Sequence, residues 1–384
     1  REIIIKNFKS IPELSLELGR FNVLIGENGS GKTNILEAIA LGSAAAANKL
    51  DNEFLGSRGI RVTDPELMRA AFDPKTKNEE IFLEYVAEDK DTATFRLKND
   101  NQPYSKWVDV EREKDKTRLL QLLKKKLEKQ SSLKDNKLNN LTIEELYKKF
   151  NTPLDSYIQE RLDGMALSSF IIYSPENTTL RIFEQEGQIL PLGIRGEGLF
   201  KLIKTLLLAK DKKPILEIKE NLKLFDWFDD FNLPKMASAN EFVLKIKDRF
   251  LSSQLNQFDQ RSANEGFLFL LFYLSLFISK DTPVFFAVDN LEASFNPKLC
   301  VEISKMLIRL CKEKKKQVIV TTHNPSILDG LNLHDPEERL FVIKRNTNGH
   351  TIAKRITEKP AAESPVKLSD AWTRGYIGGL PNNF

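Results

Sequence analysis

Cysteine is scarce in this sequence. Cys300 and Cys311 are the only two in 384 residues, eleven apart on an expected helix, so neither a disulfide framework nor a four-cysteine metal site can be built from them. A reducing cytoplasm is the compartment that fits. Long hydrophobic runs are missing too. The most apolar stretch, Phe267 to Ile278, is about 12 residues long, well short of the roughly 20 that a helix needs to cross a bilayer. It is expected as a buried core helix, with no membrane association. Charge of one sign is in slight excess only: a net +4 permits nucleic-acid contact but does not argue for it. No internal repeat occurs and no charged-then-apolar leader opens the sequence. The start at Arg1, without methionine, suggests a few preceding residues. What is present is an ordinary hydrophobic fraction of 41%, enough for one large core or two medium ones. A soluble cytoplasmic protein is expected.

Apolar patterning predicts short strands at Glu2–Ile5 and Phe21–Ile25, the second feeding directly into glycines. Lys32 to Leu41 carries Ile35, Leu36, Ile39 and Ala40 at helical spacing, the mark of a helix packing one face on a sheet. Glu80–Val86 and Thr92–Leu97 read as an antiparallel pair. From Glu111 to Phe150 the composition shifts, with twelve Lys or Arg against seven Asp or Glu. Leu119, Leu120, Leu123 and Leu127 form one stripe there, so this stretch is expected as an inserted basic helical arm, a short hairpin rather than a long coiled coil. A mixed region follows, with a strand at Phe170–Tyr173, a glycine turn at Gly193–Gly198 and a helix at Leu199–Ala209. An α/β pattern then returns: a helix at Gly266–Ser279, a strand at Val284–Val288, a helix at Lys298–Cys311 and a strand at Gln317–Thr321. Strands so continuously apolar belong inside a parallel sheet covered on both faces. The expected division is 1–100, 101–260, 261–345 and a polar tail, 346–384, without an assigned role.

The strongest chemical signal is Gly26-Glu27-Asn28-Gly29-Ser30-Gly31-Lys32-Thr33, a G-x-x-x-x-G-K-T loop between an expected strand and an expected helix, with Asn34 following. Its glycines let backbone N–H groups turn around a β-phosphate, where the positive end of the helix dipole adds attraction. Lys32 is expected to reach the β- and γ-phosphates of ATP, and the Thr33 hydroxyl to ligate Mg²⁺. A second metal-ordering group is Asp289, which ends the apolar run Val284–Val288. Asn290 follows it, an amide that takes no proton, so either Glu292 or another group serves as base or hydrolysis is slow. His323, in Thr321-Thr-His-Asn-Pro325, lies past the last buried strand, where α/β sheets place ligands, and is a candidate γ-phosphate switch. Arg261-Ser262-Ala263-Asn264-Glu265-Gly266 precedes the apolar helix. It is an N-cap pattern, Ser262 capping with Glu265 three residues on, or a grip for the γ-phosphate bound to a partner subunit.

These elements, in this order, resemble ABC-type ATPases of the RecF, SMC and OLD group. The fold this implies is α/β, a P-loop ABC-type ATPase head with a mixed sheet and an inserted helical arm. Ile5-Lys-Asn-Phe-Lys-Ser10 resembles the opening of that group, whose polar residues approach the nucleotide; Asn7 and Lys9 are the matching positions. Ser262, Asn264, Glu265 and Gly266 resemble its signature loop, with Ala263 and Asn264 in place of the usual glycines. Leu291–Pro297 resembles the loop that touches the opposite subunit. The resemblance implies a head-to-tail dimer, or a larger self-assembly, with ATP sandwiched between copies. ATPase subunits of bacterial anti-phage systems of the Septu and PARIS type are similar in style. Too few residues follow the ATPase strands for an OLD-type nuclease domain, so an effector nuclease in trans is the expected partner. The alternative is a DNA-repair ATPase binding DNA directly through Lys124, Lys125 and Lys126.

Overall fold

The computed structural model describes residues 1–73, 76–102, 105–129, 156, 158–163, 165–182, 191–234, 243–252, 255, 257–359 and 366–380. The chain forms two compact units: Arg1–Glu17, Ala38–Gly56 and Arg61–Ser169 make the first, and Leu18–Glu37, Ser57–Ile60 and Phe170–Phe384 the second.

In the first unit, β1 (Glu2–Phe8), β2 (Ile11–Glu17), β4 (Ile81–Val86), β5 (Thr92–Lys98) and β6 (Val108–Asp109) form an antiparallel sheet in the order β2-β1-β4-β5-β6. Alternate residues go inward, Ile81, Leu83 and Tyr85 from β4 and Ala93, Phe95 and Leu97 from β5, as a period of two requires. The Tyr85 hydroxyl donates to the Ile39 carbonyl at 3.1 Å. That approach depends on Gly42, where an added Cβ would lie 2.0 Å from the Tyr85 hydroxyl. The basic arm begins as a helix, Val110–Lys129, with Leu120 buried and Leu122 and Lys125 exposed. The expected returning arm of the helical hairpin, residues 130–150, and the side chains of Leu123, Lys124, Lys126 and Leu127 lie outside the described residues.

The second unit is built on β3 (Phe21–Ile25), β7 (Ile172–Tyr173), β11 (Phe285–Val288), β12 (Gln317–Thr321), β13 (Glu338–Arg345) and β14 (Thr351–Ile356), in the order β14-β13-β3-β12-β11-β7. All neighbouring pairs are parallel except β13 with β14. This is the mixed sheet expected. β3, β11 and β12 are buried almost throughout, which their unbroken apolar runs require of strands covered on both faces. The apolar helix Glu265–Ile278 is buried on every side from Phe267 onward. It packs with the amphipathic helix Pro297–Glu313, whose buried stripe is Cys300, Ile303, Leu307, Ile308 and Cys311. A small antiparallel sheet, β8 (Phe228–Asn232), β9 (Lys245–Asp248) and β10 (Gln257–Asp259), leads into the loop before the apolar helix. Among the described residues, no helix is long and apolar enough to cross a membrane.

The polar tail contains structure that its composition hides. Through Thr351–Ile356 it supplies the antiparallel edge strand of the main sheet, and through Leu368–Thr373 a short helix with Leu368, Ala371 and Trp372 buried.

Candidate functional site

Three sheet neighbours, β3, β12 and β11, end side by side. The loops that leave their carboxyl ends carry the glycine loop, His323 and Asp289, so sheet order alone gathers the three motifs where open α/β sheets bind ligands. Gly26 leaves β3 at φ 150°, and a Cβ there would lie 2.1 Å from the Ile343 carbonyl oxygen, so only glycine fits. The helix Lys32–Ala46 follows at once.

The peptide planes of the glycine loop are held by side-chain donors. Lys32 Nζ donates to the Gly26 and Glu27 carbonyls at 2.9 and 3.0 Å. Arg345 Nε donates to the Gly29 carbonyl at 2.9 Å, and Thr351 Oγ1 to the Ser30 carbonyl at 2.9 Å. Fixing a carbonyl fixes the N–H on the other side of the same planar peptide, which preorganises the amide cradle. Lys32 is buried; burial pushes its ammonium below the usual lysine range, and Asp289, Glu292 and Glu27 pull it back up.

Asp289 is fixed at its backbone by donation to the Tyr173 carbonyl at 2.8 Å, and its carboxylate accepts the Thr321 hydroxyl. Thr321 Oγ1 in turn accepts the Asn290 N–H at 2.9 Å. Glu292 Oε1 accepts the His323 backbone N–H at 2.8 Å, tying the loop after β11 to the loop after β12. The His323 imidazole is pushed below the ordinary histidine range, first by burial and then by the Lys32 charge, while Glu292 and Asp289 oppose the shift. It is therefore a neutral donor–acceptor near neutral pH.

The loop before the apolar helix is capped differently from its sequence pattern. Asn264, not Ser262, is the N-cap: its backbone is extended and its side chain accepts the Phe267 N–H at 2.8 Å. Asparagine caps as well as serine, and the buried face starting at Phe267 sets where the first turn begins. Ser262 and Glu265 are exposed. Arg181 braces this loop, donating to the carbonyls of Gln260, Arg261 and Ala263 at 3.3, 2.7 and 2.8 Å and to Asn177 Oδ1 at 3.0 Å. Asn177 donates onward to Glu265, whose other oxygen accepts the Ser294 hydroxyl at 3.0 Å. That relay links the helix start to the loop after β11.

The structure thus brings Gly26–Thr33, Asp289, Asn290, Glu292 and His323 together in the second unit. Asn7 and Lys9 belong to the first unit, both at positive φ. There the Asn7 amide accepts the Ala70 N–H and donates to the carbonyls of Thr76, Glu79 and Glu80, and Lys9 donates to the Arg61 carbonyl. Sequence reasoning missed Thr321 as the partner of Asp289, and it missed Arg181, Arg345 and Thr351. Only Thr321 had a signal, its place at the end of a buried strand.

A magnesium nucleotide fits these residues. Beyond the held amides, two polar atoms of the site, Ser30 Oγ and Glu292 Oε2, are buried without a hydrogen-bond partner, a costly arrangement that usually marks a ligand or function. Sheet topology, the glycine loop, the strand-end aspartate and the histidine past β12 have the arrangement of a P-loop ATPase head. A family model described as "AAA domain, putative AbiEii toxin, Type IV TA system" matches residues 21–329, well over half of the chain, and the chain belongs to that family. The "Uncharacterized protein MJECL10" of Methanocaldococcus jannaschii is 36% identical over 121 residues, 30% of this chain and 53% of that protein. The DNA replication and repair protein RecF of Actinobacillus pleuropneumoniae is 55% identical over 38 residues, 10% of this chain and 11% of RecF. The chain thus matches about half the length of the first of these relatives and far less of the second. A crystal structure of an Smc head bound to the C-winged helix domain of ScpA shares the fold, with a TM-score of 0.52 at 16% identity over 92% of this chain and 96% of that one. Over short stretches the chain is thus similar to RecF and to the Chromosome partition protein Smc of Methanocaldococcus jannaschii.

Proposed function

We propose that this chain binds and hydrolyses ATP with Mg²⁺, closes head to tail on a second copy of itself, and through that closure controls a separate effector, a nuclease, in bacterial defence against phage. The convergence of Lys32, Asp289, Glu292 and His323 on the glycine loop carries the ATPase part. Gly26 to Asn34 would hold the phosphates, and Thr33 and Asp289 the magnesium, which neutralises charge on the β- and γ-phosphates when bound. Ser262, Asn264, Glu265 and Gly266, at the start of a 14-residue helix and braced by Arg181, would grip the γ-phosphate held by the other copy. The toxin and antitoxin wording of the family description supports an effector-control role.

Ser262→Arg tests the pairing. The substitution places bulk on an exposed residue and leaves the Asn264 cap intact. ATP affinity of the monomer should stay within roughly threefold of wild type, while ATP-driven dimerisation, followed by sedimentation velocity, should weaken by roughly tenfold or more. Undiminished pairing would reduce the loop to a helix cap.

The similarity to RecF, whose name assigns it to DNA replication and repair, favours a second reading, an ATPase that binds DNA through the basic arm. On that reading, reversing Lys124, Lys125 and Lys126 to glutamate flattens the dependence of log affinity on log salt by roughly 2 to 3 units, since each phosphate contact contributes about 0.9. An unchanged slope leaves effector control as the function.

A further inference from the structure

Hydrolysis needs a group to take a proton from the attacking water, and the residue after the strand-end aspartate, Asn290, offers an amide that takes none. Asn290 sits at φ 56°, with its N–H spent on Thr321. Two residues further on, Glu292 is a half-satisfied carboxylate: Oε1 is anchored by the His323 N–H, whereas Oε2 is buried and unpartnered. A buried acceptor left unmatched is destabilising, and an orphaned oxygen on the loop that carries the strand-end aspartate calls for an explanation such as a catalytic role.

A second orphan lies behind it. The Tyr273 hydroxyl is fully buried, also without a hydrogen-bond partner, on the helix that starts at Asn264 and Glu265. Its ring packs against Phe269, Phe272 and Phe295, the last from the same loop as Glu292. Phe295, three residues past Glu292 and 6.1 Å from the Tyr273 ring, seats the phenol against the loop that carries Glu292; burial raises this phenol above the usual tyrosine range, and the Glu292 charge adds to that shift. One is a donor without an acceptor; the other is an acceptor without a donor.

Resting on the ATPase reading, we propose that Glu292 is the general base of this ATPase in place of Asn290, and that Tyr273 is its positioning residue. Glu292 Oε2 accepts a proton from a water molecule as the water oxygen forms its bond to the γ-phosphorus. The bond from that phosphorus to the bridging β-γ oxygen breaks, and its electron pair leaves with ADP. The proton then passes from Glu292 to solvent, which restores the carboxylate. Tyr273, donating to Oε2 through one bridging water, keeps that oxygen from turning away. Because it stands on the helix that begins at the candidate trans-acting loop, engagement of that loop by the second copy acts on the base through one rigid element.

Two substitutions test this in the full chain. Glu292→Gln keeps the Oε1 acceptor for His323 and should fold normally. Its calorimetric affinity for Mg·ATP should stay within roughly threefold of wild type, single-turnover hydrolysis should fall roughly 100-fold, and ATP-held dimers should persist correspondingly longer in sedimentation. Tyr273→Phe removes only the orphaned hydroxyl. In the nucleotide-free chain its melting temperature should equal or exceed that of wild type, while kcat falls by roughly threefold to tenfold at constant KM. A wild-type chain that binds Mg·ATP without turning it over, or a Glu292→Gln chain that hydrolyses at the wild-type rate, overturns the base assignment. A Tyr273→Phe chain with unchanged kcat, or with a lowered melting temperature, overturns the positioning role. A wild-type chain that binds no nucleotide sinks the ATPase reading itself.

Discussion

Lys32→Ala is expected to lower the affinity for Mg·ATP by roughly 100-fold or more, equivalent to about 2.7 kcal/mol. The lysine has two tasks that alanine cannot perform. Its ammonium is the one cation of the glycine loop itself, and burial puts it in a medium where charge is poorly screened, so its attraction for a triphosphate is strong. It also ties down the Gly26 and Glu27 carbonyls, and thus part of the amide cradle. Calorimetry with Mg·ATP measures the loss. The nucleotide-free variant should melt within a few degrees of wild type, because the lysine's burial cost disappears together with its two hydrogen bonds. Unchanged binding would mean that the phosphates are held elsewhere.

Much of this site was legible because its chemistry is written in backbone requirements. A glycine loop between strand and helix needs particular residues at particular spacings, and Gly26 shows why, since no side chain fits beneath the Ile343 carbonyl. The strands Phe21–Ile25 and Gln317–Thr321 have the bounds that their apolar runs predict, because a strand buried on both faces stays apolar from end to end. Edge hairpins were harder. Ile11–Glu17 and Thr351–Ile356 carry polar residues on open faces, so their composition resembles that of turns. The partners that hold the site were hidden for another reason. Arg345 and Thr351 reach the glycine loop across more than 300 residues of sequence, and Arg181 serves carbonyls about 80 residues away. Arginine-to-carbonyl contacts have no periodic signature, and only the folded sheet brings such residues together. The helix cap shows a local limit, since serine and asparagine compete on equal terms and tertiary packing at Phe267 decides between them.

Lys316→Met is expected to cost roughly 2–3 kcal/mol of stability, with a pH dependence that identifies the cause. Lys316 lies just before β12, almost fully buried, and points its ammonium into a ring of oxygens at the end of the apolar helix. The Leu276, Ser279 and Pro283 carbonyls lie at 2.8, 2.9 and 3.3 Å, with the Thr282 hydroxyl beside them. A cation there complements the negative end of the helix dipole and fixes the turn that feeds β11, the strand leading to Asp289. Methionine fills the space and leaves those carbonyls short of donors. Burial nonetheless pushes the Lys316 ammonium down to about 7, against smaller opposing effects of Cys311 and Asp281. The unfolded chain therefore binds more protons at this residue than the folded chain between pH 7 and the ordinary lysine value near 10.5. Its burial cost is full below that window and fades as pH rises through it, so wild-type stability gains a component toward alkaline pH that methionine cannot have. The stability gap between wild type and Lys316→Met, measured by urea denaturation at pH 7 and at pH 9, should widen at the higher pH. A constant or narrowing gap would mean that Lys316 is charged in the folded chain throughout and acts through its ammonium alone.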